Sequence, residues 1–211
     1  RVENTLREVG VEIRLSAAVT SVRRVDSGVE VKAAGGVYEY FDEVIFATHS
    51  DITLELLSDP TEIEQSSLNS IKYQSNTMVL HADTSIMPKR KAAWASWVYT
   101  EEKNRKSDHI DLTYWINRLQ SLPEDDPCFV TLNTKRPIKP HLIYDEYVFN
   151  HPVFDLAALQ GQRNLADSNG TNSTWFCGAW MRNGFHEDGL ATGMEVARRI
   201  LDQSASMIAA E

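Results

Sequence analysis

Cysteine is scarce in this chain, since only Cys128 and Cys177 occur among its 211 residues. Each lies inside an apolar run, which predicts buried free thiols rather than a disulfide scaffold and favours a reducing, cytoplasmic location. Long apolar runs are missing as well. No stretch reaches the roughly 18 residues that a membrane-spanning helix needs, so we expect no transmembrane segment.

Positive charge is in deficit, with 21 basic against 30 acidic residues and a net charge of -9. No basic cluster is longer than residues 89–91, so the sequence predicts no nucleic-acid partner and no binding to an anionic membrane. Apolar residues make up 42% of the chain and charged residues 24%. This composition is typical of a folded globular chain and argues against disorder.

Several motifs that would indicate a specific chemistry are also absent. The chain has no H-E-x-x-H sequence and no cysteine pair with zinc-ligand spacing, so no metal site is predicted. It has no G-x-S-x-G sequence, the turn that exposes a nucleophilic serine. Its 10 glycines include no G-x-G-x-x-G, the turn that holds a dinucleotide pyrophosphate.

The first quarter of the sequence combines strand patterns with tight turns. Residues 2–9 have a helical pattern that Gly10 ends, and the chain opens inside this pattern, as a segment of a longer protein would. Residues 11–15 alternate apolar and charged side chains, which predicts a strand. Three short runs between residues 19 and 41 predict an antiparallel meander. The apolar run 44–47 is typical of a buried parallel strand.

The remaining sequence predicts helices and a second sheet. Ser50 or Asp51 is expected to cap one helix, and Pro60 to open the next at its first position. Five strand-like runs with charged or proline-containing connections predict an antiparallel sheet: 78–80, 94–99, 110–116, 129–132 and 142–149. A helix from about residue 152 to 162, a short buried strand at 175–178 and a last helix starting near Asp188 follow.

The segment 174–197 is the part of the sequence that most resembles a binding site. Gly178 ends the predicted strand and lets a ligand approach the backbone. The free N–H groups of Glu187, Asp188 and Gly189 at the start of the last helix favour a negative ligand atom. The alternative is an ordinary strand, loop and helix, with Glu187 and Asp188 as first-turn acids.

This segment resembles the C-terminal flavin motif of the flavin-containing amine oxidase and phytoene desaturase superfamily. The residues at matching positions are Gly178, Trp180, His186, Glu187 and Leu190. The combination resembles in particular a bacterial subgroup of NAD/FAD-binding, amine oxidase-like proteins, whose relatives are linked with cyclopropane fatty-acyl synthases. The resemblance implies FAD as cofactor, with the helix start at the flavin edge. It also implies that the backbone at Val19 contacts the adenine.

The resemblance implies a fold class of α/β plus α+β. The chain would be the C-terminal part of a glutathione reductase-type FAD-binding sheet that lacks its central dinucleotide strand, with an inserted antiparallel substrate domain. Residues 1–52 and 166–211 would form FAD-binding parts, and residues 53–165 the substrate-binding or cap domain. The isolated chain is expected to be inactive, not to retain FAD, and to associate with itself through exposed sheet edges.

The implied activity is transfer of a hydride from a small substrate, an amine or a lipid-like molecule, to the flavin. The catalytic residues stay open, with Tyr114, Asn117, His151 and Trp180 as candidates to face the ring. Lys72, Lys135 and Lys139 are the candidates for the lysine that amine oxidases place near the flavin. Ala179 departs from the family, which has an acid there. The alternative is a non-catalytic, degenerate flavin fold kept as a binding or scaffold module.

Overall fold

A computed structural model of the chain describes residues 1–101 and 111–208. The chain divides into two compact units, residues 1–72 with 152–211 (unit 1) and residues 73–151 (unit 2). The sequence predicts three functional regions, residues 1–52, 53–165 and 166–211, whose bounds differ from those of the two compact units. The assignment of these regions to FAD or substrate binding stays a prediction. None of the helices in the described residues is long and apolar enough to cross a membrane.

Of the six α-helices and ten strands in the described residues, unit 1 contains five of each. Their bounds are α1 (Val2–Glu8), β1 (Val19–Val25), β2 (Gly28–Ala33), β3 (Tyr38–Phe41), β4 (Val44–Phe46), α2 (Ser50–Leu56), α3 (Glu62–Ser70), α5 (Leu156–Ser168), β10 (Thr174–Phe176) and α6 (His186–Ile208). Strands β1 to β3 form the antiparallel meander that the turns predict. Strand β4 pairs with β10 in parallel, with Ile45 opposite Trp175, as the apolar run at 44–47 predicts.

The prediction of a strand at residues 11–15 is wrong. These residues have no regular structure, and Val11 and Leu15 expose 44% and 76% of their surface. An alternating segment forms a strand only where another strand supplies hydrogen-bond partners. No strand in the described residues lies beside this segment. Gly10 does end α1, with a φ of +89° and a bond from the Val11 N–H to the Leu6 carbonyl at 3.0 Å, a Schellman motif.

The predicted helix starts also need correction. The N-cap of α2 is His49, not Ser50 or Asp51, and it makes no capping side-chain bond. The N-cap of α3 is Thr61, whose hydroxyl accepts from the Glu64 N–H at 3.2 Å while the Glu64 carboxylate accepts from the Thr61 N–H at 2.8 Å. This reciprocal capping box satisfies two helix-end donors. Helix α6 begins two residues before Asp188.

A buried ion pair connects the elements of unit 1. The guanidinium of Arg24 on β1 lies 2.6 Å from the carboxylate of Glu64 on α3, and their side chains are 10% and 6% exposed. Arg24 Nε also donates to Thr174 Oγ1 on β10 at 3.0 Å. Because Arg24 contacts both partners, it fixes the first residue of β10, which is also the start of the segment that resembles a flavin motif.

Unit 2 consists mainly of the predicted antiparallel sheet, in the order β6-β7-β8-β5-β9. The bounds are β5 (Lys72–His81), β6 (Trp97–Thr100), β7 (Asp111–Trp115), α4 (Ile116–Leu119), β8 (Phe129–Leu132) and β9 (Ile143–Val153). Ile110, where the sequence predicts the start of β7, lies outside the described residues. One face of the sheet is covered by a cluster in which Met87, Trp115 and Phe129 are buried.

A polar network is buried on that covered face. His81 Nδ1 accepts from the Asp83 N–H at 3.1 Å, and its Nε2 lies 2.8 Å from Thr131 Oγ1. Thr131 Oγ1 lies 2.9 Å from Thr113 Oγ1. Burial lowers the pKa of His81, so the imidazole is neutral and carries its proton on Nε2. The network is structural, because both ring nitrogens are occupied.

Candidate functional site

The turn after β10 is built around a glycine that the protein itself requires. Gly178 has a φ of +143°, and a Cβ placed there would lie 2.8 Å from Nε1 of Trp180. Such a separation is shorter than van der Waals contact, so any side chain at this position would displace the indole. Gly178 is therefore needed for the packing of Trp180, whether or not a ligand approaches it.

Trp180 lies inside unit 1, with only 3% of its surface exposed. Its Nε1 donates to the carbonyl of Thr48 at 2.9 Å. Gln162 on α5 donates from Nε2 to the carbonyl of Trp180 at 2.8 Å and to that of Arg182 at 2.7 Å. The loop between β10 and α6 is therefore held from two sides, by the chain that leaves β4 and by α5.

The N-terminus of α6 offers two hydrogen-bond donors. Phe185 donates its N–H to the Asp188 carboxylate at 3.0 Å, and its carbonyl accepts from the N–H groups of Asp188 and Gly189 at 3.0 and 3.2 Å. In the part of the chain that is described, the N–H groups of His186 and Glu187 have no acceptor. The donors are thus those of His186 and Glu187, one position earlier than the sequence predicts.

The helix start could bind the negative edge of a flavin, but the preceding loop has no acidic side chain for the ribityl chain. A helix N-terminus carries partial positive charge, and two N–H groups without acceptors would stabilise a negative oxygen or nitrogen. Ala179, by contrast, has no side-chain atom that could bind the ribityl chain. The residues therefore fit the flavin ring edge and contribute no side-chain bond to its sugar chain at this position.

The other two predicted cofactor residues are Val19, which is distant from the helix start along the chain, and Leu190, which is one turn into the helix. Val19 is the first residue of β1, is 39% exposed and lies opposite Ala33. Leu190 is on α6 and is 60% exposed. The sequence does not single out Thr192, yet its hydroxyl accepts from the Gly178 N–H at 3.0 Å and so fastens α6 to the end of β10.

Unit 2 has a second candidate surface, the sheet face opposite the Trp115 cluster, which we call the open face. Two rows of side chains cross strands β6, β7, β8 and β5 on this side, according to the strand register. The first row is Trp97, Tyr114, Val130 and Leu80, and the second row is Tyr99, Leu112, Leu132 and Met78. All eight side chains are apolar or aromatic, and Trp97 and Tyr99 remain 41% and 61% exposed.

Two of the candidate catalytic residues lie on the open face. Tyr114 is half-buried and packs edge-on against Trp97, with ring centroids 5.3 Å apart. Burial and the nearby Tyr99 raise the pKa of Tyr114, so its hydroxyl stays protonated at neutral pH. His151 is at the end of the same face, where its Nδ1 lies 2.9 Å from the side-chain nitrogen of Asn76. Asn76 is two residues before Met78 on β5, so its side chain is on the open face as well.

Asn117 has a structural environment instead. It is 2% exposed, and its Oδ1 accepts from Trp115 Nε1 at 3.1 Å and from the Cys128 N–H at 2.7 Å. Its Nδ2 donates to the carbonyls of Pro123 and Asp126. These bonds connect α4 to the loop before β8 and leave no free polar atom for a substrate, although the assignment of catalytic residues stays a prediction.

The three candidate lysines have different surroundings. Lys72 donates to the Asn69 carbonyl at 2.7 Å, Lys139 lies 3.7 Å from Asp83, and Lys135 is exposed. Among the described residues no group of three or more histidine, cysteine, aspartate or glutamate side chains could hold a metal ion. Trp97 and Tyr99 are functional candidates that sequence reasoning missed. Their spacing of two residues in a strand-like run was the available signal.

Comparisons with known proteins identify the fold. No protein-family profile matches the chain, and no curated protein sequence matches it. Solved structures do match. A CLA-producing fatty acid isomerase from P. acnes has a TM-score of 0.60 and 13% identity over 87% of this chain and 47% of that one. Putrescine oxidase bound to putrescine has a TM-score of 0.60 and 15% identity over 95% of this chain and 51% of that one.

A third structure, provisionally named as a protoporphyrinogen oxidase from Exiguobacterium, has a TM-score of 0.63 and 14% identity over 95% of this chain and 50% of that one. At such identities the likeness shows the fold alone. The chain spans about half the length of these solved structures. It therefore has a mixed α/β fold that corresponds to part of the fold of these enzymes.

Proposed function

We propose that this chain is the C-terminal part of an FAD-dependent oxidoreductase of the amine oxidase-like class. One observation carries the proposal: the β10–Gly178–α6 segment, which resembles a flavin motif, ends in two N–H groups without acceptors in the described chain. The fold shared with putrescine oxidase and the other two enzymes supports it. The missing G-x-G-x-x-G and the half-length coverage are consistent with a part of a longer protein.

The protein's own residues would act by positioning and electrostatics. FAD would supply the chemistry, since its flavin accepts a hydride from the substrate. The N–H groups of His186 and Glu187 would stabilise the negative charge that develops on the reduced flavin. Trp180, Gln162 and Thr192 would keep the loop and α6 in position, because they bond to the backbone on both sides of this segment.

The substrate-binding role falls to the middle of the chain in this proposal. The open face of unit 2 would contact the substrate, with Tyr114 and His151 as its polar groups. Residues 1–52 and 166–211 are proposed to belong to the FAD-binding part, and a cytoplasmic location is proposed on the basis of the two unpaired cysteines.

A non-catalytic flavin fold is the second candidate. Ala179 in place of an acid favours it. The surroundings of the three candidate lysines favour it as well, because Lys72 and Lys139 bond to neighbouring groups and Lys135 is exposed. The two candidates differ in a simple observable. An enzyme of this class would contain flavin with absorbance bands at about 380 and 450 nm, and the bands would bleach when substrate reduces the flavin.

The test is the absorbance spectrum of the longer protein, purified without added flavin. We expect flavin to co-purify with it in a ratio near one. The 211-residue chain alone should bind FAD weakly or not at all, because it lacks the pyrophosphate-binding turn. A longer protein that contains no flavin and takes up none would contradict the proposal, and a flavin that no substrate reduces would favour the non-catalytic fold.

Two glycines on α6 offer a matched pair of variants for the same test. A Cβ at Gly189, in the first turn, would lie 3.6 Å from the Ala179 nitrogen, which is ordinary contact, and a Cβ at Gly193 would meet nothing within 4 Å. Both Gly→Ala changes should stabilise the helix by about 0.5–1 kcal/mol. If flavin lies at the helix start, Gly189→Ala should weaken its binding and Gly193→Ala should not. Equal flavin contents would contradict the placement.

A further inference from the structure

We propose that the open face of unit 2 receives an uncharged, apolar part of the substrate, a hydrocarbon chain or ring, rather than a cationic amine. The inference rests on the proposed function, for which it chooses between the two substrate classes that the sequence leaves open.

The two rows of the open face contain no charged side chain across four strands. A protonated amine that left water for this surface would lose its hydration and gain no carboxylate partner there. The aromatic rings offer cation–π attraction, which is weak at partly exposed sites. An uncharged hydrocarbon group loses nothing on leaving water and gains from burial against the rings. The surface therefore complements a neutral group.

Among the described strand residues, one carboxylate alternates onto the same side of the sheet, that of Asp145 on the edge strand β9. Tyr147, Phe149 and His151 are on this side, since Tyr147 and Phe149 rings are 4.6 Å apart and Phe149 and His151 rings 6.4 Å apart. The Asp145 carboxylate accepts the N–H of Glu146 at 2.9 Å and is exposed to solvent. Water screens an exposed charge, so Asp145 is a poor partner for a bound ammonium group, and its contribution is directly testable.

The shape of the open face also suits a chain or ring. Leu112 and Leu132 are buried at its centre, whereas Trp97 and Tyr99 on β6 are exposed. The indole of Trp97 is held by its edge-on contact with Tyr114. A rigid aromatic pair offers a large apolar contact area and loses little side-chain entropy on binding. Exposed apolar area of this kind commonly marks a binding surface.

The test uses the 211-residue chain without flavin, so that its result is independent of cofactor binding. The probes are 1-octanol and octylamine, which have the same chain and differ in the head group, with the amine protonated at pH 7. Binding is followed by NMR shifts of the Trp97, Tyr99 and Tyr114 ring signals. We expect 1-octanol to bind at these rings and octylamine to bind at least tenfold more weakly.

Two tyrosines of nearly equal exposure supply the variants. Tyr99→Lys places a charge on the open face, where Tyr99 is 61% exposed, and Tyr144→Lys places one on the opposite side of β9, where Tyr144 is 60% exposed. Tyr99→Lys should lower the affinity for 1-octanol at least tenfold, and Tyr144→Lys should leave it within twofold. Asp145→Asn should not change the affinity for octylamine.

Three results would overturn the inference. Octylamine that binds as tightly as 1-octanol, and loses affinity in Asp145→Asn, would assign the face to a cationic amine. Ring signals that respond to neither probe would show that the face takes no apolar ligand. Shifts of the same signals on dilution, without a probe, would assign the face to a second copy of the chain. A failure of the flavin test would instead leave these binding results standing and remove only the catalytic role.

Discussion

Trp180 and Thr48 are 132 residues apart in the sequence, yet the Trp180 indole donates a hydrogen bond to the Thr48 carbonyl at 2.9 Å. Thr48 follows β4, and Trp180 is in the loop after β10. The bond therefore joins the chain leaving both strands of the parallel pair at the same end. It fixes the loop that precedes the N-terminus of α6, where the two available N–H groups lie.

The energetic role of this bond can be isolated with a second buried tryptophan. Trp175 is fully buried in the same unit, and its Nε1 has no hydrogen-bond partner in the described residues. Both Trp→Phe variants remove similar volume, but only Trp180→Phe also leaves the Thr48 carbonyl without its partner. We expect Trp180→Phe to lower the free energy of unfolding by about 1 kcal/mol more than Trp175→Phe. Urea unfolding of both variants measures the difference. An equal or reversed order would contradict it.

Gly178→Ala is predicted to destabilise the protein in the absence of any cofactor. The new Cβ would meet the Trp180 indole at 2.8 Å, and the φ of +143° disfavours every L side chain. The cost should be about 1–3 kcal/mol. A larger residue such as valine should cost more, so loss of flavin in such a variant does not by itself show that Gly178 contacts FAD. Thermal unfolding of the flavin-free chain, with Gly193→Ala as control, measures the effect. An unchanged melting temperature would be evidence against this packing role.

Much of the fold follows from local sequence signals. The meander at 19–41 is predictable because its hydrogen-bond partners are joined by short turns at Gly28 and Gly35. The capping box of Thr61 and Glu64 is visible in the sequence as T-x-x-E. The prediction that Pro60 is the first residue of this helix is wrong, because the helix begins at Glu62. Residues 11–15 show the limit of this reasoning. Their alternation fixes which side chains would share a face but contains no information on whether a partner strand is present.

The candidate site was less predictable for the same reason. Sequence places Gly178 and α6 correctly in a strand, turn and helix, because glycine and helix-end signals are local. It does not show that Trp180 turns inward to Thr48, since that orientation depends on a contact between distant residues. The sequence neighbours of Tyr114 make it a candidate, whereas Trp97 and Tyr99 are recognisable only from the strand register, which places them beside it.

The stability of unit 2 should depend on pH through His81. Burial lowers the pKa of this imidazole in the folded state, below the ordinary value of about 6.5 that it regains on unfolding. The unfolded chain therefore binds the proton more readily. This contribution to stability is complete above about pH 6.5 and is lost as the pH falls toward the lower, folded pKa. His81→Gln should have a flatter dependence between pH 7 and 5.

The control for this prediction is His141→Gln, which changes an exposed histidine in the same unit. It should retain the wild-type decrease in melting temperature between pH 7 and 5. Asp83 acts in a different window. Its burial alone would raise its pKa, but hydrogen bonds from Ser85 and the Lys139 N–H outweigh burial and hold the pKa at about 2. The contribution of Asp83 to stability is present above about pH 4 and is lost only on further acidification. A decrease in melting temperature confined to pH 2–4 would therefore contradict the assignment to His81.

Self-association is the last expected property, and it follows from the small parallel sheet of unit 1. In the described residues β4 and β10 pair only with each other. The outer edge of β10 is occupied, because the Asn169 side chain bonds the N–H and carbonyl of Phe176 and the Gly170 N–H bonds the Thr174 carbonyl. The open edge of this pair is therefore that of β4. Ile45 on β4 is 49% exposed. Unpaired edges beside apolar side chains recruit further strands, and a charge on the edge strand opposes this pairing.

We therefore expect the wild-type chain to show a light-scattering mass above its 23.9 kDa that falls on dilution. Ile45→Lys should shift the chain toward the monomer, because the lysine must remain hydrated. Val37→Lys is the matched control, since Val37 is 77% exposed but lies in the turn between β2 and β3. If both variants lowered the mass equally, general repulsion rather than the β4 edge would explain the effect. A monomeric wild-type chain at all concentrations would show that the β4 edge is too short to pair.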